Sequence, residues 1–371
     1  MSPAVIAAII AASVSVLTLI GTLAAQFYGI RKTSSDTEET LKSQRAQLDR
    51  TFAEQRDQLH RTLTEQREHL DRTLAEQRTR TLNERFATAT GQLGGDKPPA
   101  VRLAGVYAMA GLADDWEENR QTCVDVLCAY LRMPYEPEPG QDSPEPQRLD
   151  FRASREVRHT VIRVITSHLT RDTAVSWQGL NFDFTGVVFD GGDFSRAEFS
   201  GGRVSFNLAE FSGGVIRFRG TKFTDSEVSF SEAKVSGGTV SFEAAQFSGG
   251  EVSFFGAEFS GGRVAFDLAY FSGSEVAFDE ARFSGGTVSF NRTDFSGGTV
   301  DFNRASFSGG TIRFPRAAFF GGTVYFDDAE FSGGELDFSG VADWSFPPTF
   351  PWTETPPPGV SLPKKENHSE A

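Results

Sequence analysis

From Phe283 to Phe302 the chain reads F-S-G-G-T-V-S-F-N-R-T-D-F-S-G-G-T-V-D-F, a unit and its near copy twelve residues later. Val288 and Phe290 are two apart, so they share one face of a short strand. Ala305 and Phe307 do the same in the strand that follows. The Ser-Gly-Gly after each leading Phe supplies turns, because glycine enters φ > 0 cheaply. A helix is excluded, since glycine pairs at this density would cost about 1 kcal/mol per Gly.

The rhythm extends in both directions. One series is Phe199, Phe211, Phe223, Val235, Phe247, Phe259, Phe271, Phe283, Phe295, Phe307, Phe319 and Phe331. A second runs seven residues behind it: Phe206, Phe218, Phe230, Phe242, Phe254, Phe266, Phe278, Phe290, Phe302, Phe314, Phe326 and Phe338. Repetition this strict means stacked identical units. Of the 35 Phe, 29 lie between residues 182 and 338, and they are expected to form ladders inside a rod. Each buried ring contributes roughly 1.5–3 kcal/mol before entropy is subtracted. Departures are small: Val235 for Phe, Thr221 and Thr293 for Ala, Ser274 for Gly.

The array begins differently. Phe184, Phe189, Phe194 and Phe199 are spaced by five, and Phe182, Val187, Gly192 and Ala197 stand two residues before them. This stretch resembles the pentapeptide-repeat family, whose A-x-[LF]-x-x unit forms one face of a β-helix. The resemblance implies a mainly β fold: a right-handed quadrilateral β-helix over residues 177–340, with the repeat centre and the small residue two before it pointing inward. From Phe206 onward, faces of five and seven residues alternate, so four faces take two twelve-residue units, or 24 residues. A twelve-residue coil is the alternative, and it is too small to enclose two Phe, one Val and one Ala. The expected core positions include Phe184, Phe189, Phe194, Phe199, Phe206, Phe211, Ile216, Phe218, Phe242, Phe247, Phe266, Phe271, Phe290, Phe295, Phe314, Phe319 and Phe338.

Upstream, residues 3–30 carry no charged side chain. Ala4–Ile30 is long and apolar enough to be predicted as a retained transmembrane helix. Met-Ser-Pro offers no basic n-region for a cleaved signal. Arg31 and Lys32 follow directly and place the remainder in the cytoplasm by the positive-inside rule. Residues 35–90 are expected to form a helical stalk or coiled coil. An eleven-residue repeat sets Leu48/Phe52, Leu59/Leu63 and Leu70/Leu74 along one stripe with slight right-handed drift. One helix alone would expose that stripe, so a parallel homodimer or higher oligomer is expected.

Residues 91–170 read as an α-helical adaptor. Gly91–Pro99 breaks the stalk, helices follow at Val101–Asp114, Gln121–Met133 and Arg155–Leu169, and a Pro-rich, acidic linker occupies 134–148. Asn83-Glu-Arg-Phe86, Gly91-Gln-Leu-Gly94, Val101-Arg-Leu-Ala-Gly-Val-Tyr-Ala-Met109 and Val126-Leu-Cys-Ala-Tyr-Leu-Arg132 are similar to the membrane-tethered pentapeptide-repeat proteins of actinobacteria. That resemblance brings no catalytic or cofactor residues with it. Residues 341–371 should hold a capping segment with Trp344, Phe346 and Phe350, then a proline-rich disordered tail.

No constellation for chemistry stands out. Cys123 and Cys128, the only cysteines, are five apart and form no CxxC motif. His60, His69, His159 and His168 lack ligand spacing. No phosphate loop, dinucleotide fingerprint or nucleophile elbow occurs. The glycine pairs recur in every unit and so read as structural turns. Thr287, Thr299, Thr311 and Thr323 repeat as outward strand residues, and Asp327 and Asp328 are outward by register. We therefore expect no enzyme, no cofactor, no metal and no small-molecule ligand. Residues 181–340 hold 22 Asp and Glu against 12 Arg and Lys, within a chain of net charge −14. That sign disfavours direct nucleic-acid binding. The expected role is a membrane-anchored scaffold that binds a protein partner. The alternative is a DNA-mimicking binder of a type II topoisomerase, which the interleaved basic residues argue against.

Overall fold

The computed structural model describes Thr18, Ile20, residues 36–136 and residues 138–364. Except for Thr18 and Ile20, the predicted membrane segment 3–30 lies outside the described residues, as do residues 365–371 of the tail. Among the described residues no helix is long and apolar enough to cross a membrane. The chain divides into two units, residues 1–79 and 80–371.

Helix α1 (Asp36–Leu93) begins in the first unit. There the eleven-residue stripe faces solvent: Phe52, Leu59, Leu63, Leu70 and Leu74 are 40% to 57% exposed, and Leu48 is half-buried. Within the second unit α1 continues through Gly91, where the sequence predicts a break, and stops before the Gly94-Gly95 pair. Leu82, Ala89 and Leu93 are buried there.

Three more helices follow: α2 (Pro99–Asp115), α3 (Arg120–Arg132) and α4 (Glu145–Leu169). Helix α4 starts ten residues before the predicted Arg155. The prolines of the predicted linker explain this, because Pro146 sits in the first turn, where no N–H partner is required. Val106, Met109, Leu112, Val124, Leu127, Val161 and Ile165 form the helical core. Gly105 allows α2 to press on α1, since a Cβ there would stand 2.9 Å from Gln92 Cβ.

Residues from Phe182 onward wind into a β-solenoid of about eight turns, all parallel. Register gives the coil length. Phe223 pairs with Phe199 and Phe247, and Phe283 with Phe259 and Phe307, 24 residues apart. Phe283 and Phe295 belong to different sheets, so the twelve-residue coil does not occur. The first coil is shorter: Phe182 pairs with Val204 and Phe189 with Phe211, an offset of 22. One twelve-residue unit makes one wall, two short strands that bend at Gly-Gly. In Tyr270–Ala277, Arg282–Ser289, Asp294–Asp301 and Ser306–Arg313 the two strands fuse into one of eight residues.

The interior is apolar and filled. The Phe rings anticipated as core, from Phe184 to Phe338, and Ile216 are at most 2% exposed. Rings one coil apart lie nearly parallel: Phe254–Phe278, Phe278–Phe302 and Phe302–Phe326 each have centroids 4.7 Å apart. Val or Ile, Phe, Ala and Phe therefore succeed one another inward along each unit. Thr221 and Thr293 take the Ala position at no polar cost. Their buried hydroxyls donate to Phe194 O and Phe266 O at 2.9 and 2.8 Å.

Walls are joined by tight turns. In Phe242–Ala245 the Ala245 N–H donates to Phe242 O at 3.0 Å, with Ala244 at φ 55°. Positive φ at the third residue is the type II pattern, normally a glycine position. Glu232, Leu268, Glu280, Arg292, Arg304 and Arg316 hold it too.

The open ends are covered. Ile162 of α4 packs over Gly192, where a Cβ would stand 2.9 Å from Ile162 Cδ1. At the far end Trp344 meets Phe319 edge-on at 5.3 Å, Phe350 stacks on Phe326 at 5.3 Å and Trp352 meets Phe331 at 5.0 Å. Phe346, expected to join them, is exposed. The proline-rich segment is also tied down, because Val360–Ser361 pairs with Leu336–Asp337. Bare rings of the last coil need cover, and prolines tolerate positions with no N–H to satisfy.

Candidate binding surfaces

Since the interior is consumed by packing, polar chemistry on the solenoid stands outward in ranks one coil apart. Thr287 pairs with Thr311 in one sheet and Thr299 with Thr323 in the other, so the threonines split between two walls. Charges are matched between coils. Arg203 lies 3.0 Å from Glu227, Lys222 2.5 Å from Glu198, Arg282 2.6 Å from Glu258 and Arg304 3.0 Å from Glu280. Each pair spans one 24-residue coil, so the period that stacks Phe inside also sets opposite charges side by side outside. Asp327 and Asp328 are exposed. Burial pushes the carboxyls of Asp279 and Asp301 above the ordinary range, with Asp279 and Asp327 adding repulsion at Asp301.

The helices meet the first coils through polar groups that no sequence period announces. Asp190 is the centre of one cluster. Tyr135 Oη donates to its Oδ2 at 2.7 Å, His159 Nε2 lies 3.0 Å from Oδ1 and Arg155 Nε lies 3.1 Å from Oδ2. Burial opposes its charge. The hydrogen bonds from His159 and Tyr135 and the nearby cations prevail, holding the carboxyl below its usual range. Burial and the neighbouring Asp190 push the Tyr135 phenol up. Arg158, 6% exposed, donates to Leu131 O at 2.7 Å and Val188 O at 2.9 Å, with its guanidinium 4.2 Å from the Tyr135 ring centroid. It thus joins α3, the linker and the first coil.

A second cluster surrounds Asp114. It accepts from Trp177 Nε1 at 3.0 Å and faces His168 Nε2 at 3.2 Å, while His168 stacks on Trp177 at 4.0 Å. Arg132 pairs with Asp183, and Gln121 exchanges two hydrogen bonds with the backbone of Asn181. Both histidines of α4 are therefore engaged in seating the helices. Cys123 and Cys128 are fully buried, which raises their thiols to about 11 and about 12. Neither is a thiolate at neutral pH, so neither is poised as a nucleophile. Among the described residues no group of three or more His, Cys, Asp or Glu could hold a metal ion.

The sequence signal for these clusters was weak. Asp190 and Asp114 meet partners 31 to 63 residues distant on separate elements, and no spacing rule links them. The chain matches no protein-family model, no curated protein and no solved structure. The solenoid with its regularly stacked Phe is consistent with a pentapeptide-repeat type of protein.

Proposed function

We propose that the chain is a non-enzymatic, membrane-anchored scaffold of the pentapeptide-repeat type. Residues 3–30 form its single membrane pass, the soluble part lies in the cytoplasm, and the solenoid docks a protein partner. The observation that carries this reading is the division within each coil. Inward positions are apolar and filled, while outward positions repeat at constant spacing across long parallel walls. Such walls suit extended protein contact. The exposed leucine stripe of α1 supports self-association, which would present several solenoids together.

Charge weighs against the alternative of DNA mimicry. The excess of ten acidic residues over 181–340, spread over rungs ~4.8 Å apart, amounts to roughly one net charge per 3 Å. Duplex DNA carries about one per 1.7 Å, and coil-to-coil ion pairs dilute the solenoid's field further. A gyrase supercoiling assay at micromolar protein should show neither inhibition nor protection. The scaffold reading is tested by crosslinking in membranes, with the chain lacking residues 171–371 as control. Specific partners should be captured only by the full chain. Identical captures from both chains would remove the docking role.

A further inference from the structure

Although the chain is acidic, one cleft is basic. It measures about 1290 Å³ and lies between α4 and the first three rungs of one wall. Helix α4 contributes Arg155, His159 and Arg163, and the coils contribute Arg196, Arg217 and Arg219. Asp193 and Glu243 are the only carboxylates among its lining residues. Five arginines face those two acids and, counting the Asp190 and Glu156 that pair with Arg155 and Arg163, the cleft keeps a formal charge of +1 in a chain of net −14.

Three of these arginines are matched: Arg155 by Asp190, Arg163 by Glu156 and Arg219 by Glu243. Arg196 and Arg217 form no ion pair among the described residues and are exposed. The floor beside them is low where Ser195, Gly214, Thr239 and Ser241 line it, so an extended backbone can lie close to the sheet there, next to the edge where α4 covers Gly191 and Gly192. Three rungs span roughly 10–15 Å, the reach of about four extended residues. Guanidinium forks match carboxylates two bonds at a time.

We propose that this cleft binds an acidic, extended peptide segment of a partner protein, with Arg196 and Arg217 receiving its carboxylates. The proposal rests on the scaffold reading and names the chemistry of one docking site. A long polyanion such as nucleic acid is disfavoured, because it would run from the cleft onto the acidic coils beyond.

The test is fluorescence anisotropy of a labelled hexaglutamate peptide with the full chain in neutral detergent micelles. Saturable binding is expected, and it should weaken as salt is raised to about 0.15 M. Arg196→Glu with Arg217→Glu should weaken it at least about tenfold, the loss of one charge-assisted contact or more. Arg292→Glu with Arg316→Glu, on distant coils, should leave it unchanged. Single Arg196→Gln and Arg217→Gln variants serve if the double variant loses its cooperative melt. The proposal is overturned if the peptide fails to bind or the cleft variants bind it normally. Stronger competition from tripolyphosphate or a short DNA duplex than from unlabelled peptide also overturns it. Should hexaglutamate fail while full-chain crosslinking still captures specific partners, this site falls and the scaffold reading stands.

Discussion

Within one Ser-Gly-Gly, the two glycines answer different demands. Gly286 sits at φ 70°, and a Cβ there would also lie 2.6 Å from Gly261 O of the neighbouring coil. Gly285 has an ordinary φ, yet its Cβ would lie 2.4 Å from Ser260 O. The first glycine is required by the stacked coil and the second by both backbone and neighbour. Gly256 provides a contrast: its φ is 62°, but the nearest atom to a Cβ is Glu232 Cγ at 3.6 Å. Gly286→Ala should therefore cost about 2–4 kcal/mol, the left-handed penalty plus overpacking. Gly256→Ala should cost about 1 kcal/mol, since Ala244 already holds the equivalent turn. Urea unfolding of the two variants checks the difference, and equal losses would refute it. The φ > 0 requirement was legible in the sequence. The close approach was not, because it depends on a chain 25 residues earlier. Burial raises the folded pKa of Asp301 above the ordinary aspartate value of 3.8. The ionised form is disfavoured in the fold, so Asp301→Asn should stabilise the protein at pH 7. The gain should fade as pH falls through the folded pKa and vanish below 3.8, where both states are neutral. Asn at 301 would still accept the Asn303 N–H that Asp301 accepts at 2.8 Å. Melting curves at both pH values report the sign.

Elements differ in how far their own sequence determines them. The walls of the solenoid repeat, so Val288 and Phe290 disclose a strand without reference to anything distant. Helix α4 does not repeat, and its first turn lies inside the stretch whose prolines and acids predict a linker, because a first turn accepts Pro146. Its docking depends on Arg155, Arg158 and His159 reaching Asp190 and the first coil, contacts that only the assembled fold brings together. Asp190 is the residue on which this seating turns. Asp190→Asn leaves Tyr135, Arg155 and His159 without their shared acceptor charge, at a cost of about 1–3 kcal/mol at pH 7. The pH dependence has a definite sign. The folded pKa lies below the ordinary aspartate value of 3.8, so the carboxylate's contribution is fully present above that value. It is lost as pH falls through the folded pKa. The gap between wild type and Asp190→Asn, followed by thermal melts, should be widest near neutrality and close only in strong acid. A gap that is constant with pH would show that the ionised carboxylate does not hold the helices in place.

For the molecule as a whole, two periods carry two kinds of self-recognition. The twelve-residue period satisfies itself within one chain, because each coil covers the Phe rings of the last and the ends are closed by Ile162 and by Trp344, Phe350 and Trp352. The eleven-residue period of α1 is not satisfied in the same way. Leu59, Leu63, Leu70 and Leu74 are each about half exposed, on a helix whose other positions are mostly polar or charged. A second copy in parallel register presents the same stripe with the same right-handed drift. Covering the exposed half of each leucine would contribute roughly 0.8–1.5 kcal/mol, and four from each of two chains would together offset the entropy of association. The full chain in detergent should therefore sediment as a dimer or larger assembly. The fourfold variant Leu59→Ser, Leu63→Ser, Leu70→Ser and Leu74→Ser should sediment as a smaller species with unchanged β-sheet circular dichroism. If the variant keeps the parent's mass, the assembly is held elsewhere and the stripe has no part in it. If the parent is already monomeric at micromolar concentration, α1 works as a single charged helix and each chain acts with one solenoid.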